Sequence, residues 1–414
     1  MADIGLGAVL YIEQSAGGGS TFEPSVFVDA ALFLARSVTI GDINGDGTSD
    51  VVAGTNDEVL VWYAGVGTSF GAAQVIDTAA GQVKTAALAD ADGDGAMDLI
   101  VGAATRNAVV LYINSDGTGG FAEGMVLISG TKGIYGLGVA DMNGDGWIDI
   151  IASDTVEERL LWMAGRGRGR FDAVSVVDSE STEVKALALA DINGDGRLDT
   201  VVATTAHARL VWYATAPGQG SVQSALAGYS EPNVLFSSPN SDPNGLATGD
   251  VNGDAWVDVV ATFSSVGTVG WFASVEGSGF TSLNAIDTGL NKPVAAALGD
   301  VDLDGDVDVV IALQGAKELV WYANSDGIGT FVLGDSSPIV TSLDLLHDVQ
   351  LADVDGDGQL DVLKVGRRRD DRIDLLLHAL FVVRVGKRAP LDTAIQVSGR
   401  YRAPTHRKST AQAR

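Results

Sequence analysis

The segment from Ala190 to Thr200, ADINGDGRLDT, sets Asp191, Asn193, Asp195 and Asp199 at positions 1, 3, 5 and 9 of one short phrase. Carboxylates this close repel one another unless something positive lies between them. Alternate positions of a tight loop turn several side-chain oxygens to its inside, and the backbone carbonyl at position 7 can add another. The glycine at position 6 allows a sharp turn that a side chain would resist. Six to eight hard oxygen donors are what Ca2+ takes, whereas Mg2+ keeps its waters and demands strict octahedral geometry.

The phrase occurs seven times, which turns a modest loop signal into a specific one. Its members at positions 1, 3, 5 and 9 are Asp42, Asn44, Asp46, Asp50; Asp90, Asp92, Asp94, Asp98; and Asp141, Asn143, Asp145, Asp149. After Asp191, Asn193, Asp195 and Asp199 come Asp250, Asn252, Asp254, Asp258; Asp300, Asp302, Asp304, Asp308; and Asp353, Asp355, Asp357, Asp361. Two copies depart from the pattern: Ala255 stands at position 6 of the fifth, and Leu303 at position 4 of the sixth. An EF-hand is disfavoured, because its loop runs to a Glu at position 12 between helices.

The elements that must position these loops repeat with them, at intervals of 48, 51, 50, 59, 50 and 53 residues. A short apolar segment such as TAALA precedes each phrase, and a Val/Ile-rich run such as LIVGA follows it. A second apolar run then carries an aromatic: Trp62, Tyr112, Trp162, Trp212, Trp271 or Trp321. In most units a Gly-rich turn leads on to a phenylalanine. Short Val- and Ile-rich runs bounded by Gly and Asp read as strands, about four per unit. Four strands in about 50 residues, repeated, predict an all-β protein: a seven-bladed β-propeller with a cation loop in each blade. No helical periodicity competes with it.

From roughly residue 5 to 366 the units resemble FG-GAP (VCBS-type) repeats, as found in the integrin α-subunit propeller and in many secreted proteins. The resemblance implies that each loop joins the first two strands of its blade and binds Ca2+, with the 28 residues named above as ligands in up to seven sites. It also implies an extracellular or cell-surface module for adhesion and recognition that contacts protein or carbohydrate. The implied contact surface lies on the opposite face, at stretches such as Thr55–Glu58, Asp154–Glu158 and Asp178–Lys185. The loops with four aspartates should bind Ca2+ most tightly, and the Asp250 loop, with Ala255, should be weakest or empty.

Composition narrows the rest. The net charge of −28 disfavours nucleic acid and anionic membranes as partners. The absence of cysteine excludes disulfides and thiol chemistry, and no apolar run approaches the ~20 residues of a spanning helix. No signal peptide is visible at the start. The charge is uneven: 13 of the 26 Lys and Arg lie from Lys364 onward, with four acids. Residues 367–414 therefore read as a basic tail outside the propeller. Before the first loop, Tyr11 and Phe22 match the aromatic strand and the phenylalanine. The N-terminus is thus expected to supply strands three and four of a composite blade that closes the ring. Removing the tail after Gly366 should leave the propeller folded, and deleting residues 1 to 30 should unravel it.

Other motifs carry less. GTSFG at Gly67 to Gly71 matches the nucleophile elbow G-x-S-x-G, but the repeat register makes Ser69 part of a hairpin turn. His207, His347, His378 and His406 are scattered, without metal or triad spacing. The aromatic row reads as packing between blades, while Trp147 and Trp256, at position 7 of their loops, are expected to be exposed. No catalytic constellation is recognisable, so the expected function is non-catalytic binding. The alternatives are a lectin or a glycan-acting enzyme on the same propeller.

Overall fold

The computed structural model describes residues 8–11, 26–29, 35–66, 69–131, 133–179, 183–215, 229–334, 337–341, 343–353, 359–368, 378–381, 384–386 and 396–398. Among these residues all regular structure is strand. In the second unit the strands run Val83–Ala89, Asp98–Ala103, Ala108–Tyr112 and Met125–Ser129, each antiparallel to the one before. The same four-stranded meander recurs from Ala35–Gly41, Ile134–Ala140, Val184–Ala190, Pro243–Gly249 and Pro293–Gly299. In each of these units the motif loop connects the first strand to the second, so that position 9 opens the second strand. Ala89 faces Asp98 across the ladder, as Gly41 faces Asp50 and Ala140 faces Asp149.

Burial follows strand position. Second strands such as DLIVGA and DIIASD are buried throughout, because neighbouring sheets cover both of their faces. Fourth strands form the outer edge, where Val75 and Val126 are exposed. Six apolar clusters among the described residues are each shared by two consecutive units: Val52, Leu60 and Trp62 pack with Leu99 and Val101, and Ile151 and Trp162 pack with Leu187 and Val202. The aromatic row lies in these seams, as expected for packing between sheets.

Tyr112 in the row, and Tyr213 and Tyr322 next to it, add a polar latch between units. The Tyr112 hydroxyl donates to Asp77 Oδ2 at 2.8 Å and that of Tyr322 to Asp287 Oδ2 at 2.6 Å, while Tyr213 donates to Asp178. Burial, reinforced by the facing carboxylate, holds Tyr112 and Tyr322 well above the usual tyrosine range.

The last unit is composite. Leu343–Ala352 pairs with Gln359–Arg368, which pairs with His378–Phe381; that strand runs parallel to Ala8–Tyr11, itself paired with Val26–Asp29. This differs from the expectation that the N-terminal strands pair directly with the strand after the Asp353 loop. The tail run LLLHALFVVRV is apolar and rich in strand-forming residues, and part of it supplies the intervening strand. Gln396–Ser398 also pairs with Ala186–Ala188, so parts of the tail do join sheets. Phe22 lies outside the described residues. The last unit also meets the first: Ser49 Oγ donates to the Asp353 carbonyl (3.1 Å), Gln350 Nε2 donates to the Val38 carbonyl (3.3 Å), and Ala352 packs on the Val38 cluster.

These seams make a direct prediction. Trp321 is fully enclosed between consecutive sheets, so Trp321→Ala should cost about 3–5 kcal/mol. Val75→Ala on the outer strand should stay within about 0.5 kcal/mol. Urea denaturation of the two variants checks the contrast.

Candidate metal centre

The four motif positions differ in depth. Position 9 is fully buried, positions 1 and 3 are mostly half-buried, and position 5 is exposed. The chain reaches this gradient through nested turns in which aspartate and asparagine oxygens accept nearby backbone N–H groups. In the first loop Asp42 Oδ1 accepts from Gly45 (2.7 Å) and Asp46 (3.1 Å), and its Oδ2 accepts from Gly47 (2.9 Å). Asn44 Oδ1 accepts from the N–H of Asp46, and Asp46 Oδ1 from that of Thr48. The same bonds recur around Asp90 and Asp141.

Position 9 has a second duty that spacing alone does not reveal. Asp50 Oδ2 accepts from the N–H of Ile43 (2.8 Å), while its Oδ1 accepts from Gly65 beyond the third strand (2.8 Å). Asp98, Asp149, Asp199, Asp258 and Asp308 do the same with Ala91 and Asn114, Met142 and Gly165, Ile192 and Thr215, Val251 and Ser274, and Val301 and Asn324. Burial pushes Asp149, Asp199 and Asp308 up to about 7, and Asp98 and Asp258 to about 6, against N–H donors that favour the carboxylate. Holding these groups charged near neutral pH is costly, and a cation nearby lowers that cost.

Two loops gather three acidic oxygens within 4.8 Å of one another: Asp90, Asp92 and Asp98 in one, Asp300, Asp302 and Asp304 in the other. Ca–O distances of 2.3–2.6 Å allow ligands on one ion to lie at most about 5 Å apart. The donor set therefore fits a hard divalent cation. In the remaining described loops position 3 is asparagine, which offers a neutral oxygen. In the last loop Asp353 and Asp361 are described, with Asp361 fully buried, whereas Asp355 and Asp357 lie outside the described residues.

The two departures from the motif show as strain. Ala255 has φ 70° and Leu303 φ 72°, the left-handed region that glycine fills in the other loops. At position 6 a Cβ on Gly47, Gly95, Gly146 or Gly196 would meet nothing within 4 Å, so Ala255 bears backbone strain without a clash.

Contacts between loops were not legible in the motif. The Trp147 ring sits 2.9 Å from where a Cβ on Gly93 of the preceding loop would stand, and Trp256 sits 2.7 Å from that point on Gly194. At Gly93 and Gly194 the tryptophan leaves no room for a side chain, so glycine there serves this contact as well as the turn. Trp147 is nonetheless exposed, whereas Trp256 is half-buried. Asn114 Nδ2 donates to the Ile43 carbonyl of the preceding loop at 2.8 Å, as Asn324 Nδ2 does to Val251. Both asparagines lie 16 residues after a position-9 aspartate, a fixed offset that a search beyond the motif could have found. Ser69 lies in a short hairpin, its hydroxyl donating to the Val66 carbonyl.

Repeated four-stranded antiparallel sheets, each opened by an oxygen-rich loop, define a β-propeller-type repeat protein. The model of the FG-GAP-like repeat matches residues 42–101, 90–152, 141–202, 191–261 and 300–363. These segments cover more than half of the chain, which belongs to that family. No curated protein matches the sequence. A lectin from Agrocybe aegerita, solved for its specific recognition of non-reducing terminal N-acetylglucosamine, is similar at TM-score 0.55 and 18% identity, covering 80% of this chain and 90% of the lectin. BBS1N in complex with ARL6DN is similar at TM-score 0.52 and 13% identity, over 88% of this chain and 95% of that one. At these identities the likeness is one of fold.

Two outcomes test the division of labour within a loop. In chelator, Asp308→Asn should destabilise by about 1–3 kcal/mol, because an amide cannot accept on both sides where buried N–H groups donate. Asp304→Asn should be neutral or stabilising there, since it removes one of three crowded charges. Separately, Ala255→Gly should gain up to about 1 kcal/mol: relief of roughly 1–2 kcal/mol of left-handed strain, less the extra freedom of glycine in the unfolded chain. Thermal melts of the three variants in EGTA give all of these signs.

Proposed function

We propose that this chain is a calcium-stabilised, seven-bladed propeller, closed through its composite last unit, that serves as a non-catalytic binding module at the cell surface or outside the cell. The observation that carries the reading is the meeting of three acidic oxygens in the Asp90 and Asp300 loops, on a loop scaffold that the other described units repeat. Asp90, Asp92 and Asp98 would hold one ion, and Asp300, Asp302 and Asp304 another. Bound Ca2+ would supply positive charge where each of these loops gathers its carboxylates. Closure is supported by the contacts of Ser49 and Gln350 with the last and first units.

The partner class follows from fold and charge. An acidic surface at −28 does not suit nucleic acid. Similar propellers bind a sugar terminus in one case and a protein in the other. A carbohydrate or a protein is therefore the proposed ligand of this chain.

Calcium should set the melting temperature. With free Ca2+ about tenfold above Kd, each site adds roughly 1.4 kcal/mol, and several together rival the ~5–15 kcal/mol of a whole fold. EGTA should lower the melting temperature by several degrees, and an unchanged melt would remove the calcium reading. A glycan array run with and without Ca2+ then separates the ligands: calcium-dependent spots support a lectin, and a silent array leaves a protein partner.

A further inference from the structure

The exposed aspartate at position 5 is compensated in different ways in different loops. In the Asp42 and Asp250 loops a neutral amide reaches its outer oxygen: Asn44 Nδ2 donates to Asp46 Oδ2 at 2.9 Å, and Asn252 Nδ2 to Asp254 Oδ2 at 3.0 Å. In the Asp90 and Asp300 loops position 3 is itself an aspartate, and carboxylates crowd together. The Asp141 and Asp191 loops use a guanidinium. Arg197, at position 7 of its loop, donates from Nη2 to Asp195 Oδ2, while its Nε is fixed on the Thr215 carbonyl at 3.2 Å. Arg166, from the turn after the third strand, has Nη1 at 3.7 Å from Asp145 Oδ2, and its Nε donates to Asp172 Oδ1 at 2.9 Å.

Both arginines are anchored by a second partner, Arg197 by a neutral carbonyl and Arg166 by both oxygens of the Asp172 carboxylate. Arg197 therefore brings a full charge to its loop, and Arg166 one that Asp172 partly offsets. The segment GRGRGR, Gly165 to Arg170, is a basic turn after the third strand of its unit, and a basic turn has no evident purpose from composition alone. The structure gives it one: Arg166 faces the loop's acids, and the Arg168 and Gly169 N–H groups donate to the Asp92 and Ala91 carbonyls of the preceding loop at 2.9 and 3.1 Å.

We propose that Arg166 and Arg197 are built-in counter-cations, which keep the Asp141 and Asp191 loops folded without a bound ion and give them a lower calcium affinity than the crowded Asp90 and Asp300 loops. This rests on the calcium reading above and adds a rank order to it. A unit charge about 6 Å from a divalent ion is worth roughly a factor of ten in affinity even at the dielectric of water. Uptake should therefore be tiered: the crowded Asp90 and Asp300 loops fill before the two guanidinium-held loops. The device keeps part of the loop array ordered when calcium is scarce.

The test is calcium titration of the full-length chain by equilibrium dialysis, with Tb3+ emission sensitised by Trp147 reading the Asp90 and Asp141 loops that this ring adjoins. Arg166→Gln with Arg197→Gln should tighten two equivalents, the Asp191 site by about tenfold and the Asp141 site by less, because Asp172 offsets part of the Arg166 charge. The same double variant should melt lower than wild type in EGTA and regain its melting temperature in Ca2+. Arg166→Lys with Arg197→Lys keeps the charge and should titrate like wild type, which separates charge from packing. Gln variants that bind calcium as wild type does would overturn the proposal while leaving the calcium reading intact. A wild-type chain that takes up no calcium would overturn both.

Discussion

A buried carboxylate at the foot of each motif loop is the constraint on which the rest depends. Six described loops end in an aspartate that lies out of water and accepts backbone N–H groups from two separate places. One donor comes from position 2 of its own loop, the other from the chain leaving the third strand. A charge in this position is tolerable only because those donors replace its water. It ties strand one, strand two and the third-strand exit to a single point. The outer motif positions have a defined geometry because this inner one is fixed.

From that point the structure is stitched sideways. Asn114 and Asn324 each give their N–H to a position-9 carboxylate and their side-chain amide to the preceding loop. Trp147 and Trp256 lie over glycines of the preceding loops. Elsewhere in the seams the Tyr–Asp pairs link one unit's third strand to the previous unit's fourth. Apolar clusters shared between consecutive sheets fill the space between. A unit of this kind has no core of its own, so stability is a sum over neighbours, as in other repeat architectures.

The local part of this arrangement was legible in the sequence. Strand runs, the loop position within each unit and the seam-filling role of Trp62 or Trp321 follow from spacing and residue type, which act over a few residues. Ala255 could be flagged because position 6 demands a left-handed turn. The rest required distance. Tyr112 finds Asp77 35 residues back, and Asn114 finds Ile43 71 residues back, and no local propensity encodes either meeting. The tail shows the same limit: charge sets it apart in the sequence, while strand pairing, decided by backbone groups and apolar runs, places His378–Phe381 between two other strands.

The acidic character of the chain and its loop chemistry are one problem seen at two scales. Residues before Lys364 carry nearly all of the acids, and the motif concentrates them where consecutive loops touch. Such crowding raises the free energy of the empty fold, and each loop has to offset it locally because screening weakens help from farther away. Backbone N–H groups answer the innermost carboxylate in the six fully described loops. The outermost is answered by an asparagine amide at Asp46 and Asp254 and by an arginine at Asp145 and Asp195. At Asp90, Asp92 and Asp98 the charges are left facing one another. The described loops thus divide into four that answer their outer charge from within the chain, by amide or guanidinium, and two that leave three carboxylates together.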